Sequence, residues 1–158
     1  MHFCTHHHYD AAPAQVFAML TDAQFLDGMF DGTDMAHRVD VEGSHTVLHV
    51  DLPAPRQATR FTGDTLHVTL DIVWAAQPGP DGRYTGPITM DVAKAPVQLS
   101  GTATIAPDGQ GTSVTYEGEF TVRVPMFGRQ LEQQAAPYVT RVLEIQQTHG
   151  RAWLAASH

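Results

Sequence analysis

The amino-acid sequence predicts an α+β domain in which a curved antiparallel sheet of about seven strands packs on one long C-terminal helix. Two observations predict it. From residue 33 onward the hydrophobic period is 2 through most of the chain, in segments broken by turn residues. From residue 127 the period becomes helical and stays so to residue 156. A sheet with one apolar face and a helix with one apolar stripe each need a partner, and the economical solution is to pack one on the other.

The elements follow in order. Residues 2–9 read as a short strand of mixed character, after which Asp10 starts a break. Pro13 suits the first helical position, where its missing N–H has no intrahelical partner to lose. Val16, Phe17, Met19 and Leu20 follow at helical spacing. Asp22 is placed to cap a second short helix carrying Phe25, Leu26, Met29 and Phe30, limited by Gly28 and Gly32. Met35, His37, Val39 and Val41 then alternate with polar residues up to the turn Gly43-Ser44, and Leu48, Val50 and Leu52 continue the hairpin. Residues 53–63 form an irregular connection.

Leu66, Val68, Leu70, Ile72 and Trp74 alternate next, and Gln77 to Gly82 is a turn. Strands are expected at 84–93, 97–106 and 112–124. In the last, Val114, Tyr116, Gly118, Phe120, Val122 and Val124 share one face, as in a sheet covered on one side. Pro125 stops it. In the long helix, Leu131, Ala135, Tyr138, Val142, Ile145, His149 and Ala152 form a stripe at steps of four and three. Pro137 is expected to kink that helix. The length of 158 residues fits one domain spanning 1–158.

Composition narrows the partners. The net charge of −8 argues against unspecific binding to nucleic acid or to anionic membrane surfaces, which need basic patches. Lys94 is the only lysine and alanine is abundant, which reads as the codon bias of a GC-rich bacterial genome. Cys4 is the only cysteine, so an intramolecular disulfide is impossible, in keeping with an expected cytoplasmic location. No segment approaches a membrane span, and the N-terminus lacks the pattern of a signal peptide. The His6-His7-His8 run is too short for a purification tag and sits inside a patterned segment.

Several stretches carry a family resemblance. They are Phe3 to Tyr9 with Asp10-Ala11-Ala12-Pro13-Ala14-Gln15-Val16-Phe17 and Leu20-Thr21-Asp22. A second runs from Gly118 through Glu119, Phe120, Thr121, Val122, Arg123, Val124, Pro125, Met126 and Phe127 to Gly128, leading into Leu131-Glu132. The third is Trp153, late in the long helix. Across essentially the whole chain this resembles the START-like superfamily of polyketide cyclases, lipid-transfer domains and birch pollen allergens. It most resembles a bacterial domain-of-unknown-function family within it. The resemblance implies a helix-grip fold whose cavity, between sheet and C-terminal helix, takes sterols, lipids, polyketides or hormones. It carries over no catalytic residue.

The candidate ligand-binding set is the inward-facing one: Leu48, Val50, Leu66, Val68, Leu70, Trp74, Ile88, Met90, Leu99, Tyr116, Phe120, Tyr138, Val142, Ile145 and His149. A packed core without a cavity needs the same apolar inner face, so alternation fits both. Gly86, Gly101 and Gly118 fall at or near inward positions, where they either bend the sheet or leave space beside it. Tyr116, Tyr138 and His149 are the polar points of this face. They orient a ligand oxygen, bond to one another or reach the rim. The two short helices and the 53–63 connection are the expected gate.

Other chemistry is thin. His149 has the basicity of a general base, but no carboxylate is placed to orient it. His2, Cys4, His6 and His8 share a strand face and are zinc-type ligands. Same-face neighbours on a strand lie roughly 7 Å apart, so three in a row converge poorly on one ion. His7, on the other face with Phe3 and Tyr9, reads as a satisfied core histidine. Asp31, Asp34, Asp40 and Glu42 lack calcium-loop spacing and read as a solvated face. No nucleophile elbow, phosphate loop or dinucleotide fingerprint occurs, and neither metal nor cofactor is expected. The expected partner is an apolar small molecule held by a carrier or sensor. A cyclase, aromatase or dehydratase, or a packed partner-binding module, are the alternatives.

Overall fold

A computed structural model describes residues 1–54, 56 and 59–156. Pro55, Gln57 and Ala58 of the expected gate lie outside the described residues. Strands β1 (His2–Tyr9), β2 (His37–Glu42), β3 (His45–Pro53), β4 (Thr65–Val73), β5 (Tyr84–Val92), β6 (Val97–Asp108) and β7 (Gly111–Val122) form one antiparallel sheet in the order β1-β7-β6-β5-β4-β3-β2. Helices α1 (Pro13–Leu20) and α2 (Ala23–Gly28) carry the chain from β1 on one edge to β2 on the other. A single turn, α3 (Thr59–Thr62), lies in the connection read as irregular, and α4 (Gly128–Ala156) runs unbroken past Pro137.

Local chemistry sets these boundaries. Pro13 opens α1, and the Gln15 side chain reaches back to accept the Ala12 N–H at 3.0 Å. The Asp22 carboxylate caps α2 by accepting the Gln24 N–H at 2.8 Å. After β7 the chain reverses sharply: the Val124 carbonyl accepts both the Phe127 and Gly128 N–H groups, at 3.2 and 2.8 Å.

At the inward glycines the structure leaves no free space beside the sheet. Gly101 and Gly118 face each other across β6 and β7. A Cβ on Gly101 would run into the Glu117 carbonyl oxygen and sit 2.7 Å from the Gly118 Cα. One on Gly118 would meet the Ser100 carbonyl and lie 2.6 Å from the Gly101 Cα. Gly86 is likewise pressed against Val73 and Trp74, 2.9 Å from the Trp74 Cα. Neighbouring backbones fill the room that side chains would take.

The buried face of α4 departs from the expected stripe. Leu131, Leu143, Gln146, Gly150 and Leu154 are buried, whereas Tyr138 and Ala152 are exposed. Counting apolar residues passes over Gln146 and Gly150, yet both are core positions for tertiary reasons. Gln146 accepts a buried hydroxyl. At Gly150 a Cβ would lie 2.7 Å from Tyr9 Cε1 and 3.1 Å from Met19 Cε, so only glycine lets α4 settle this close to β1 and α1.

Candidate functional site

The concave face of the sheet and the first half of α4 do not close on each other completely. Between them lies a cavity of about 120 Å³. All but three of the predicted residues line it: Leu48, Val50, Leu66, Val68, Leu70, Ile88, Met90, Leu99, Tyr116, Phe120, Tyr138 and Val142. Alternation finds them because the strands are long and the register brings Leu48, Leu70 and Met90 into line across β3, β4 and β5.

The remaining three sit elsewhere. Trp74 is buried against a second void of about 20 Å³, shared with Leu20, Leu26, Thr46 and Gln146, and its Nε1–H has no partner among the described residues. Such a void has room for about one water molecule. Ile145 lines neither space and is half-buried. His149 stacks on Phe25 of α2, with centroids 4.9 Å apart, and its buried Nε2 has no partner among the described residues. The reason is common to Ile145 and His149. Beyond Leu143 the helix has left the cavity, and it goes on to pack on α1, α2 and β1, as the contacts of His149, Gly150 and Trp153 show.

The polar groups also sort differently from expectation. The Tyr116 hydroxyl donates to Gln146 Oε1 at 2.6 Å, so its proton is committed inside the protein. Burial pushes its pKa well above the ordinary tyrosine value. Tyr116→Phe should cost about 1–2 kcal/mol in urea unfolding, because Gln146 then keeps a buried, unpaired acceptor. Tyr138 reaches the rim. Gln134 also lines the cavity, with its Oε1 buried in the wall and without a hydrogen-bond partner among the described residues. Nothing in an apolar pattern marks Gln134. Its only sequence signal is position, three residues after Leu131 and four before Tyr138 on one helix face.

His7 is buried, as expected of a core residue, but it is not satisfied. Its ring lies edge-on to Tyr9 and Tyr116, at 6.2 and 5.6 Å, and neither ring nitrogen has a partner among the described residues. Burial first, and the positive charge of Arg151 second, lower its pKa to about 4. The outer-face histidines of β1 spend themselves on neighbours. His6 Nδ1 is 3.0 Å from Thr115 Oγ1, and His2 lies within ion-pair distance of Glu117 and Glu119. Among the described residues no group of three or more His, Cys, Asp or Glu is gathered to hold a metal ion.

The cavity is framed at one end by Thr62 of α3, by Ala95 and Pro96 in the β5–β6 turn, and by Val124, Leu131 and Gln134. This revises the expected gate. α3 borders the cavity, but α1 and α2 contribute no lining residue, because they pack at the opposite end around Phe25 and His149. No helix among the described residues is long and apolar enough to cross a membrane.

Comparison with known proteins agrees with this architecture. Residues 5–154 match the family described as "Protein of unknown function (DUF2505)". An uncharacterized protein of Mycobacterium tuberculosis, Rv0481c, is 26% identical over 126 residues, covering 78% of this chain and 67% of its own length. Among solved structures, TTHA0849 from Thermus thermophilus superposes with a TM-score of 0.67 at 18% identity, over 100% of both chains. A STAR-related lipid transfer protein from Xanthomonas axonopodis gives 0.62 at 17% identity, over 98% of this chain and 85% of its own. The Zhui aromatase/cyclase from a Streptomyces species gives 0.64 at 13% identity, over 96% and 92%. At these identities the structures establish a shared fold. With the family match running over nearly its whole length, the chain belongs to the DUF2505 family, and it shares its helix-grip fold with these solved structures.

Proposed function

We propose that the whole chain acts as one domain that binds a small apolar molecule in the cavity between sheet and α4. The observation that carries this reading is the cavity wall, built almost wholly from aliphatic and aromatic side chains, with Thr62 and Gln134 as the exceptions. Apolar cavities of this size stay dry and accept a benzene-sized guest. At about 120 Å³ the space suits one or two fused rings. Pockets for drug-sized ligands are typically at least about 300 Å³, so a sterol or a long acyl chain requires the α3 end to widen. The driving force is removal of the guest's apolar surface from water. Gln134 adds direction when its buried amide turns from the wall toward the guest, where its oxygen can accept a hydrogen bond from a hydroxyl. The lipid-transfer and cyclase proteins of the same fold support a hydrophobic guest. Among the described residues the cavity is lined by no acid/base pair, which favours binding over catalysis.

The test uses two probes of one shape, naphthalene and 1-naphthol, titrated into the protein and followed by calorimetry or NMR. Both should bind, with 1-naphthol favoured by roughly 2–10-fold through the hydrogen bond to Gln134. Gln134→Leu should erase the preference while keeping naphthalene binding. Val142→Phe, which fills the cavity, should abolish both. Absence of binding by either probe would sink the proposal. Native mass spectrometry of the purified protein then shows which molecule accompanies it.

A further inference from the structure

The end of the molecule that borders the cavity also carries the most exposed large apolar side chain among the described residues. Met126 is 97% exposed and is held at φ +69°, a conformation that side chains other than glycine adopt at a cost. Phe127 beside it is 41% exposed, with the Arg60 guanidinium 5.6 Å over its ring. The segment is tightly fixed. Two hydrogen bonds to the Val124 carbonyl close the turn, and Gly128 packs against the Val122 carbonyl so closely that a Cβ would clash. The turn therefore presents methionine and phenylalanine to solvent as a built feature.

Basic side chains surround this tip. Arg123 precedes it, Arg129 follows it in the first turn of α4, and Arg60 covers Phe127. The Arg123 N–H donates to the Pro96 carbonyl at 2.8 Å, which brings in the β5–β6 turn with exposed Lys94. Four of the nine basic residues of a chain with net charge −8 thus gather at one end. Elsewhere Arg38 and Arg83 lie 3.3 and 3.2 Å from Asp40 and Asp81, whereas Lys94, Arg123 and Arg129 form no ion pair among the described residues. Carboxylates near this end include Asp64, Asp91, Glu119 and Glu132; the N-terminal ammonium lies 3.7 Å from Glu119 and 3.1 Å from Glu132, which also accepts the Val122 N–H.

We propose that this end docks on the surface of a lipid bilayer containing anionic lipids, with Met126 and Phe127 entering the headgroup region and Arg60, Lys94, Arg123 and Arg129 meeting phosphates. An apolar tip inside a basic ring is the chemistry of an interfacial anchor. An acidic protein would satisfy the charges but not the projecting methionine. The net negative charge does not forbid docking. At physiological ionic strength charges beyond about 8 Å are largely screened, so the side chains at the contact decide. Docking stands whether or not the cavity takes a guest. With both in place, the cavity end bordered by Thr62, Pro96 and Val124 faces the bilayer.

The experiment is co-sedimentation of the full chain with phosphatidylcholine vesicles, with and without phosphatidylglycerol. Binding is expected only with phosphatidylglycerol, weakening as salt rises. Met126→Ser should lower it several-fold, with the circular dichroism spectrum unchanged because the side chain touches almost nothing. Met126→Leu should keep it. Lys94→Glu with Arg123→Glu should lower it more than about ten-fold, since each basic group at an anionic surface is worth roughly five-fold. No binding to phosphatidylglycerol vesicles, or binding indifferent to Met126→Ser, overturns the proposal. Binding to polyglutamate without binding to vesicles overturns it in favour of an acidic protein partner.

Discussion

Gly101→Val and Gly118→Val should each lower the thermal unfolding midpoint by roughly 10 °C, the largest loss expected from any single substitution in this sheet. The two glycines are cross-strand partners in β6 and β7. The atoms that a new Cβ would meet are backbone: Glu117 O and Gly118 Cα on one side, Ser100 O and Gly101 Cα on the other. Backbone atoms in a hydrogen-bonded ladder cannot swing away as a side chain does. Relief means separating the strands, and that breaks ladder bonds and opens the concave face over which α4 sits. Overpacking of this kind costs about 1–3 kcal/mol, and more where the obstacle is main chain. Gly43→Asn is the control. Gly43 lies at φ +62° with no atom within 4 Å of where a Cβ would stand, and asparagine tolerates that conformation. Its midpoint should move by only about a degree or two. If Gly101→Val proves as mild as Gly43→Asn, β6 and β7 do not approach each other this closely.

The second large effect lies in acid. His7 has a pKa lowered to about 4 against an ordinary 6.5, and its ring is buried with both nitrogens unpaired. Between those two values the unfolded chain binds a proton that the folded chain refuses. Stability from this residue is therefore complete above pH 6.5 and is lost as pH falls from 6.5 through about 4. The gap corresponds to roughly 3 kcal/mol. His7→Phe should remove this dependence, since phenylalanine keeps an aromatic ring beside Tyr9 and Tyr116 but has nothing to protonate. Urea midpoints measured at several pH values from neutrality down to about pH 4 should show the parent falling more steeply than the variant, with the variant the more stable below about pH 5. Equal slopes would mean that His7 gains a proton partner in the folded state.

Much of this architecture was legible in residue order alone. Strict alternation from Leu66 to Trp74 and from Val114 to Val124 determined which strand faces turn inward. In an antiparallel sheet side chains point to opposite faces at every step, so the pattern and the geometry share one period. That is why most of the predicted lining residues meet at one cavity. Pro13 and Asp22 marked helix starts for reasons that lie within a few residues of backbone. These are local facts, and a sequence states them directly.

Tertiary structure decided the rest. The face that α4 buries was set by Gln146, whose partner is Tyr116 thirty residues away, and by Gly150, whose neighbours are Tyr9 and Met19. An apolar stripe cannot record either, because one residue is polar and the other has no side chain. The same distance in sequence hid Gln134 among the cavity-lining residues and took His149 away to Phe25. It also gathered Arg60, Lys94, Arg123 and Arg129 at one end of a chain whose overall charge argued for no basic patch. Sequence by itself determined the periodic features, the strands, their faces and the long helix, because these depend on near neighbours along the chain. The cavity's size, its polar atom and the surface at its end depend on residues brought together from separate elements, and only the packing of α4 on the bent sheet determines which those are.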